Sequence, residues 1–317
     1  MPKNTRMLQI SVIALASMFL YGSVAARAQG TARDANRVNA QGPASDASRV
    51  NAQGPANESG RLKVLRAAAS ALGQIRASDI GAGNVVLPLV DVVTTIHISA
   101  GGTLYSNGQP SNVDYDAMIG YLLPAMRVQI KAAGAAANAP RTIQTVREDY
   151  AWNDSELGAG LIPGKGTATP AMAEAKARLL QLWILPYGVL KAAIAAGDKT
   201  TISTAQGSTV ITFPLSGALA GVTVTATLDA KNFITKVVTK PDNPAATDLV
   251  YDVEYSDYAD RGEIATDIQS PGRIVQKVAG KPLLDVKIKH VDANNPYLVF
   301  PIPPNVKAAR AQAGSSR

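Results

Sequence analysis

Residues 221–268 read GVTVTATLDAKNFITKVVTKPDNPAATDLVYDVEYSDYADRGEIATDI and alternate apolar with polar side chains in three successive runs. A period of two is that of strands with one dry face and one wet face. In the first run Val222, Val224, Ala226 and Leu228 share one phase, Thr223, Thr225 and Thr227 share the other, and residues 229–232 supply a polar turn. The second run covers 233–240 and closes on Pro241-Asp242-Asn243-Pro244. In the third, Leu249, Tyr251, Val253 and Tyr255 face one way against Asp252, Glu254 and Ser256. A slip of one residue would turn all of these side chains over, so a sheet with one buried side is strongly specified.

Outward from this meander the chain predicts a few helices and more strands. From Gly60, Leu62, Leu65, Ala69 and Leu72 recur at helical spacing, with Ser59 as N-cap and Gly73 as stop. Residues 85–98 read as one or two strands broken near Pro88. Gly101-Gly102 and Asn107-Gly108 read as turns, residues 115–133 as helix interrupted by Pro124, and 141–152 as strand. Thr169-Pro170 opens the clearest helix, with Met172, Ala175, Leu179, Leu182 and Trp183 on one face and Glu174 and Arg178 on the other. Pro186 ends or kinks it, and a shorter helix runs on to Gly197. Strands follow at 209–215, 274–278 and 284–290, and the polar tail from Lys307 reads as frayed.

The N-terminus carries Lys3 and Arg6, then a largely apolar stretch over 8–25, then Ala26-Arg27-Ala28 before Gln29. This is the pattern of a cleaved secretory signal, and Ser11, Ser17 and Gly22 interrupt the apolar stretch and argue against a retained anchor. The chain has no cysteine, so disulfides, thiolate metal sites and lipid-modified cysteine are excluded. Its formal net charge of +7 falls to +4 once the three cations of residues 1–28 are removed. That charge is scattered, which speaks against nucleic acid. Residues 34–44 recur at 46–56 with one change, Asn36 to Ser48, in a segment with too little apolar surface to order itself. The expected organisation is a signal peptide (1–28), a disordered linker with the two repeats (29–58), one α+β domain (59–305) and a flexible tail (306–317).

Catalytic signals are sparse. Residues 154–169 are glycine-rich, but Lys165 is followed by Gly166 rather than Ser or Thr, so the phosphate-loop pattern fails. The two histidines are isolated: His97 is predicted on the wet side of a strand, and His290 shares its phase with Leu284, Val286 and Ile288. Asp257, Asp260, Glu263 and Asp267 lack the alternating ligands of a calcium loop and read as a solvated turn. No serine sits in a G-x-S-x-G elbow. The expectation is a chain that is not an enzyme and uses no cofactor and no metal.

Four stretches carry a family resemblance: Tyr150-Ala151-Trp152-Asn153, then 179–193 (LLQLWILPYGVLKAA), then 221–244, then the Glu254-Tyr255-Ser256-Asp257-Tyr258 and Asp260-Arg261-Gly262 run. Together they resemble the region that precedes the hydrolase domain in some exported bacterial metallo-β-lactamase-fold proteins. The resemblance covers about 67–305, patchily before Tyr150. That region is similar in layout to periplasmic carriers of the LolA type, which implies α+β architecture: a curved, unclosed antiparallel half barrel with amphipathic helices packed on its concave face. The zinc motif His-x-His-x-Asp-His is absent, so metal hydrolysis carries over to no residue. Pro186-Tyr187-Gly188 stands where relatives have Pro-His-Gly.

The expected function is a non-enzymatic periplasmic, or secreted, domain that holds a hydrophobic small molecule, lipid or acyl chain between sheet and helices. The lining candidates are Trp183, Tyr187, Val222, Val224, Leu228, Tyr251, Val253 and Tyr255. The alternative is a structural or interaction module acting with a separate metallo-β-lactamase-fold hydrolase chain. No nucleic-acid partner, and no transmembrane segment after signal cleavage, is expected. The sequence leaves open whether the concave face is a cavity or a packed core.

Overall fold

The computed structural model describes residues 60–76, 79–80, 85–86, 90–263 and 266–315. The signal peptide, the repeat linker and the Ser59 cap therefore lie outside the described residues. Helix α1 (Gly60–Ala71) opens the domain. Six strands of the main sheet follow: β1 (Thr95–Ser106), β2 (Gln109–Gly120), β3 (Ala125–Ala132), β4 (Thr142–Arg147), β5 (Tyr150–Asp154) and β6 (Ala168–Pro170). Helices α2 (Ala175–Ile184) and α3 (Pro186–Ala195) come next. Seven more strands complete the sheet: β7 (Thr201–Ala205), β8 (Ser208–Pro214), β9 (Val222–Leu228), β10 (Ile234–Pro241), β11 (Tyr251–Ser256), β12 (Arg273–Val278) and β13 (Lys281–Ala293). Helix α4 (Pro304–Ser315) closes the chain.

The thirteen strands make one antiparallel sheet in the order β6-β5-β4-β3-β2-β1-β13-β12-β11-β10-β9-β8-β7. It consists of two sequential meanders zipped together where β1 pairs with β13, Ile98 opposite Val291 and Leu104 opposite Leu284. The edges β6 and β7 do not pair, so the sheet is open. Helix α2 packs on β3 and β4 of the first meander and on the short 3-10 turns Gly217–Leu219 and Thr247–Leu249 of the second, while α3 packs on β8 and α1. One helical pair thus touches both halves, and the sheet curves round it, as the expected half barrel requires.

The period-two pattern translates directly into burial. Along β9 buried and half-buried residues alternate without a break, and the buried phase is Val222, Val224, Ala226 and Leu228. Fully burying side chains of this size contributes about 1.5–3 kcal/mol each. Helix α2 stops at Leu185 because the ring of Pro186 excludes the helical conformation from the residue before it, and Leu185 is extended (φ −64, ψ 147). One of the carbonyls orphaned at that break, Ile184 O, accepts the Tyr255 hydroxyl at 2.7 Å. Gly188 sits where a Cβ would come within 2.3 Å of Leu182 O, so the kink is this tight only with glycine.

Several expectations are corrected. Residues 115–133 are not helical: Val113, Ala117 and Ile119 are buried at strand spacing along β2, and Pro124 lies in the turn to β3. The many Ala and Met there suggest a helix, and pairing on both sides overrides that preference. Gly101-Gly102 is no turn; β1 runs through it, and a Cβ on Gly102 would stand 2.1 Å from Asp285 O on the neighbouring β13. Thr169-Pro170 belongs to β6, and the helix starts after a 3-10 turn, Met172–Glu174. Arg178 is not on an outer face: it is 5% exposed and donates to Thr145 O, Trp152 O, Asn153 Oδ1 and Glu174. A bulge between Ile288 and His290 shifts the phase of β13, so Val291 is buried and His290 is not. The tail is helix α4, anchored by Val306 in a small outer cluster with Trp152, Ala159 and Ala168.

Candidate functional site

The outward faces of α2 and α3 form the floor of an open groove of about 1410 Å³. Its floor is the helical stripe Ala175, Lys176, Leu179, Trp183 on α2, preceded by Met172, with Lys191, Ala192, Ala195 and Ala196 from α3. Tyr121 and Pro124 of the β2–β3 turn, Glu148 and Asp149 of the β4–β5 turn and Arg310 of α4 bound it from the first meander. Residues 214–220, with Leu215 and Leu219, bound it from the second. The volume exceeds the about 300–1,000 Å³ of small-molecule pockets.

Half-buried Trp183 meets the ring of Tyr121 at 6.1 Å between centroids, tilted by 55°. The Lys191 ammonium lies 5.2 Å from the Tyr121 centroid and pairs with Asp91. Arg310 donates Nε and a second guanidinium nitrogen to one Asp149 oxygen at 2.9 and 2.6 Å, and Glu148 lies 3.9 Å from Arg147. Each acid of the groove therefore faces a cation. Lys176 and Lys199 have no such partner among the described residues, which leaves the lining with an unbalanced positive charge.

Between helices and sheet the molecule is packed. A cavity of about 10 Å³ lies there, bordered by Ile98, Tyr115, Met126, Gln181, Leu185 and Leu284. That is room for about one water. Of the lining candidates, Trp183 borders the groove. Tyr187, Val222, Val224, Leu228, Tyr251, Val253 and Tyr255 come together instead in the main core, none more than 3% exposed. Their hydroxyls are engaged by the protein: Tyr187 donates to Gln269 O at 2.5 Å and meets Ser270, Tyr255 donates to Ile184 O, and Tyr251 accepts from Gln181 at 3.1 Å. Burial pushes the Tyr251 phenol up to about 12, partly offset by the Gln181 bond. Tyr258 donates to Ile234 O at 2.6 Å and stacks on Phe233 at 4.5 Å. The Tyr-Ser-Asp-Tyr run is thus a pair of hydroxyl staples.

Neither histidine has a nucleophile's geometry around it. His97 Nε2 is 2.8 Å from Asp116, and Ser99 Oγ donates to the same carboxylate at 3.2 Å rather than to the imidazole. The hydrogen bond to Asp116 raises the His97 pKa above its usual 6.5 against the effect of burial, and Asp292 adds to it. His290 Nε2 contacts Asp292 at 2.9 Å. Among the acids after β11, Asp260 accepts the backbone N–H groups of Gly262, Thr266 and Asp267, and these bonds, led by that from Gly262, hold its carboxyl below the usual range. Among the described residues no group of three or more His, Asp or Glu is placed to hold a metal ion. No helix among them is long and apolar enough to cross a membrane.

Tyr121, Leu179, Leu215 and Leu219 were missed as groove residues. Leu179 carried a signal, its place on the Trp183 face of α2. Tyr121 did not, because its strand ending at Gly120 resembles helix.

No family model and no curated protein matches the chain. Among solved structures it is similar to a domain described as an outer membrane lipoprotein-sorting protein domain from Vibrio parahaemolyticus, at 10% identity and a TM-score of 0.43, over 75% of this chain and 95% of that one. It is also similar to a LolA superfamily protein from Nitrosomonas europaea, at 8% identity and a TM-score of 0.41, over 74% of this chain and 94% of that one. At these scores the likenesses carry no weight for function.

Proposed function

We propose that the chain is a non-enzymatic exported domain, acting in the periplasm after signal cleavage, that binds an apolar ligand, a lipid or acyl chain, in the groove along α2 and α3. The observation that carries this reading is the groove itself: about 1410 Å³, with half-buried Trp183 and Met172 on its floor and the largely buried Leu179, Tyr121, Leu215 and Leu219 at its margins. An apolar floor beneath a few charged groups suits an amphiphile that lies along the helices with its polar end toward the lysines. Because the space between helices and sheet is filled, the reading puts the ligand on the outer face of the helices, where Trp183 is the candidate it keeps.

Native mass spectrometry of residues 29–317 purified from a bacterial periplasm, followed by solvent extraction, tests it. A reproducible extra mass that extracts as lipid is expected. A delipidated chain that shows no saturable binding of fatty acids or hydrophobic dyes would sink the proposal. Trp183→Ala weakens binding about tenfold, by removing aromatic area from the floor. The second reading, an interaction module that works with a separate metallo-β-lactamase-fold hydrolase chain, is favoured by the solid core beneath α2 and α3. A stable complex with such a chain, formed by a protein that carries no ligand, would select it.

A further inference from the structure

Four large apolar side chains stand exposed at one end of the sheet: Leu122 (79% exposed) and Leu123 (55%) in the β2–β3 turn, Tyr297 (86%) and Val299 (67%) in the segment after β13. The two segments are far apart in sequence and are bound to the same end of the sheet. Asn294 N–H donates to Thr95 O at 2.9 Å, Asn294 Oδ1 accepts from Thr94 N–H at 2.9 Å, and Thr94 O accepts from Tyr121 N–H at 2.9 Å. The Phe300 ring lies 3.3 Å from where a Gly120 Cβ would be. Behind it the Arg127 guanidinium sits 5.5 Å from the Phe300 centroid, and Arg147 donates to Phe300 O at 3.1 Å. Tyr121 and Pro124, the neighbours of the two leucines, line the groove.

We infer that this edge docks on a lipid bilayer surface, with Leu122 and Leu123 entering the acyl region and Tyr297 at the headgroup level. Its shape selects a lipid over a protein partner. The core of a protein interface is close-packed and shape-complementary. Here the apolar groups project singly from a turn and a loop, so each keeps most of its surface, and a fluid partner can surround each without a matching shape. Tyrosine, with an apolar body and a polar tip, suits the boundary between the two regions. Arg127 and Arg147 hold Phe300 from behind and so fix the loop that carries Tyr297 and Val299. The docking surface adjoins the groove but shares neither Leu122 nor Leu123 with it. Bilayer docking therefore goes beyond the ligand-groove reading and can fail independently of it.

The test is co-sedimentation of residues 29–317 with vesicles of phosphatidylcholine, alone and mixed with phosphatidylglycerol. Wild type is expected to partition onto both. The double variant Leu122→Ser/Leu123→Ser loses about tenfold or more of the partition coefficient, while its far-ultraviolet spectrum and its dye binding without vesicles match wild type. A Leu122→Trp reporter shifts its emission to the blue on vesicles and is quenched by brominated acyl chains. Equal partition of the double variant, no partition of wild type, or a reporter that stays unshifted overturns the inference. So does a self-association of wild type that the double variant abolishes, because the patch would then be covered by a second copy. Dye binding that fails while vesicle binding persists would refute the groove reading alone.

Discussion

Tyr255 shows how a residue that looks like a ligand contact becomes a structural one. Its alternation with Asp252 and Glu254 places it on the dry face, and only the break at Pro186 tells that its hydroxyl is spent on Ile184 O at 2.7 Å. Tyr255→Phe leaves that buried carbonyl without a partner, which costs about 1–3 kcal/mol. A lower urea midpoint at unchanged slope would show it, and a midpoint equal to wild type would mean that water replaces the hydroxyl. His97 gives a pH-dependent counterpart. Its pKa is raised in the folded state by Asp116, so the stability it contributes is fully present below its ordinary value of 6.5 and is lost as pH climbs through the higher folded value. The stability gap between wild type and His97→Gln is therefore expected to be widest in the acid range and to close on the alkaline side. A gap independent of pH would refute the Asp116 pairing.

Strands were legible in this sequence where one face is wet and the partner strands are adjacent. The 221–256 meander has both properties, and β9 to β11 fall where the alternation puts them. Legibility failed where long-range pairing decides the conformation. The sequence 115–133 contains Ala, Met, Gln and Lys, good helix formers, and becomes strand because β1 and β4 hydrogen-bond it on both sides. Gly101-Gly102 looks like a turn because the strand that needs the missing Cβ, β13, lies more than a hundred residues further along the chain. Gly102→Ala pushes a methyl against the Asp285 carbonyl and forces β1 and β13 apart, costing about 1–3 kcal/mol or more. The check is the thermal midpoint, with Gly108→Ala as a control: Gly108 has open space around it, and its positive φ gives strain without contact. A Gly102→Ala melting point at or above the wild-type value would contradict the close approach.

At the level of the whole molecule the open, curved sheet was readable from repeated one-sided alternation, and the place of the groove was not. Which helix face stays uncovered depends on how the turns of the two meanders rise beside α2 and α3, and no local pattern encodes that. The pairing of β1 with β13 makes the central contact of the sheet also one of the most distant in sequence. Such non-local closure delays folding, since the loop entropy is lost before the contact forms. Refolding of residues 59–317 from urea is expected to be slow for the domain's size, and a variant ending at Val278, which lacks β13, is expected to show no cooperative transition. A cooperative melt of that truncated chain would separate the two meanders into independent folding units.

The seam between β1 and β13 also fixes an order of events in the life of the chain. A chain made only as far as Val278 holds all but one strand of the sheet, yet its first meander has β1 as a bare edge and its second has β12. The native sheet becomes continuous only when the last strand arrives between them. Until then β1 and β12 are unpaired edges, and that one strand is what joins the two meanders.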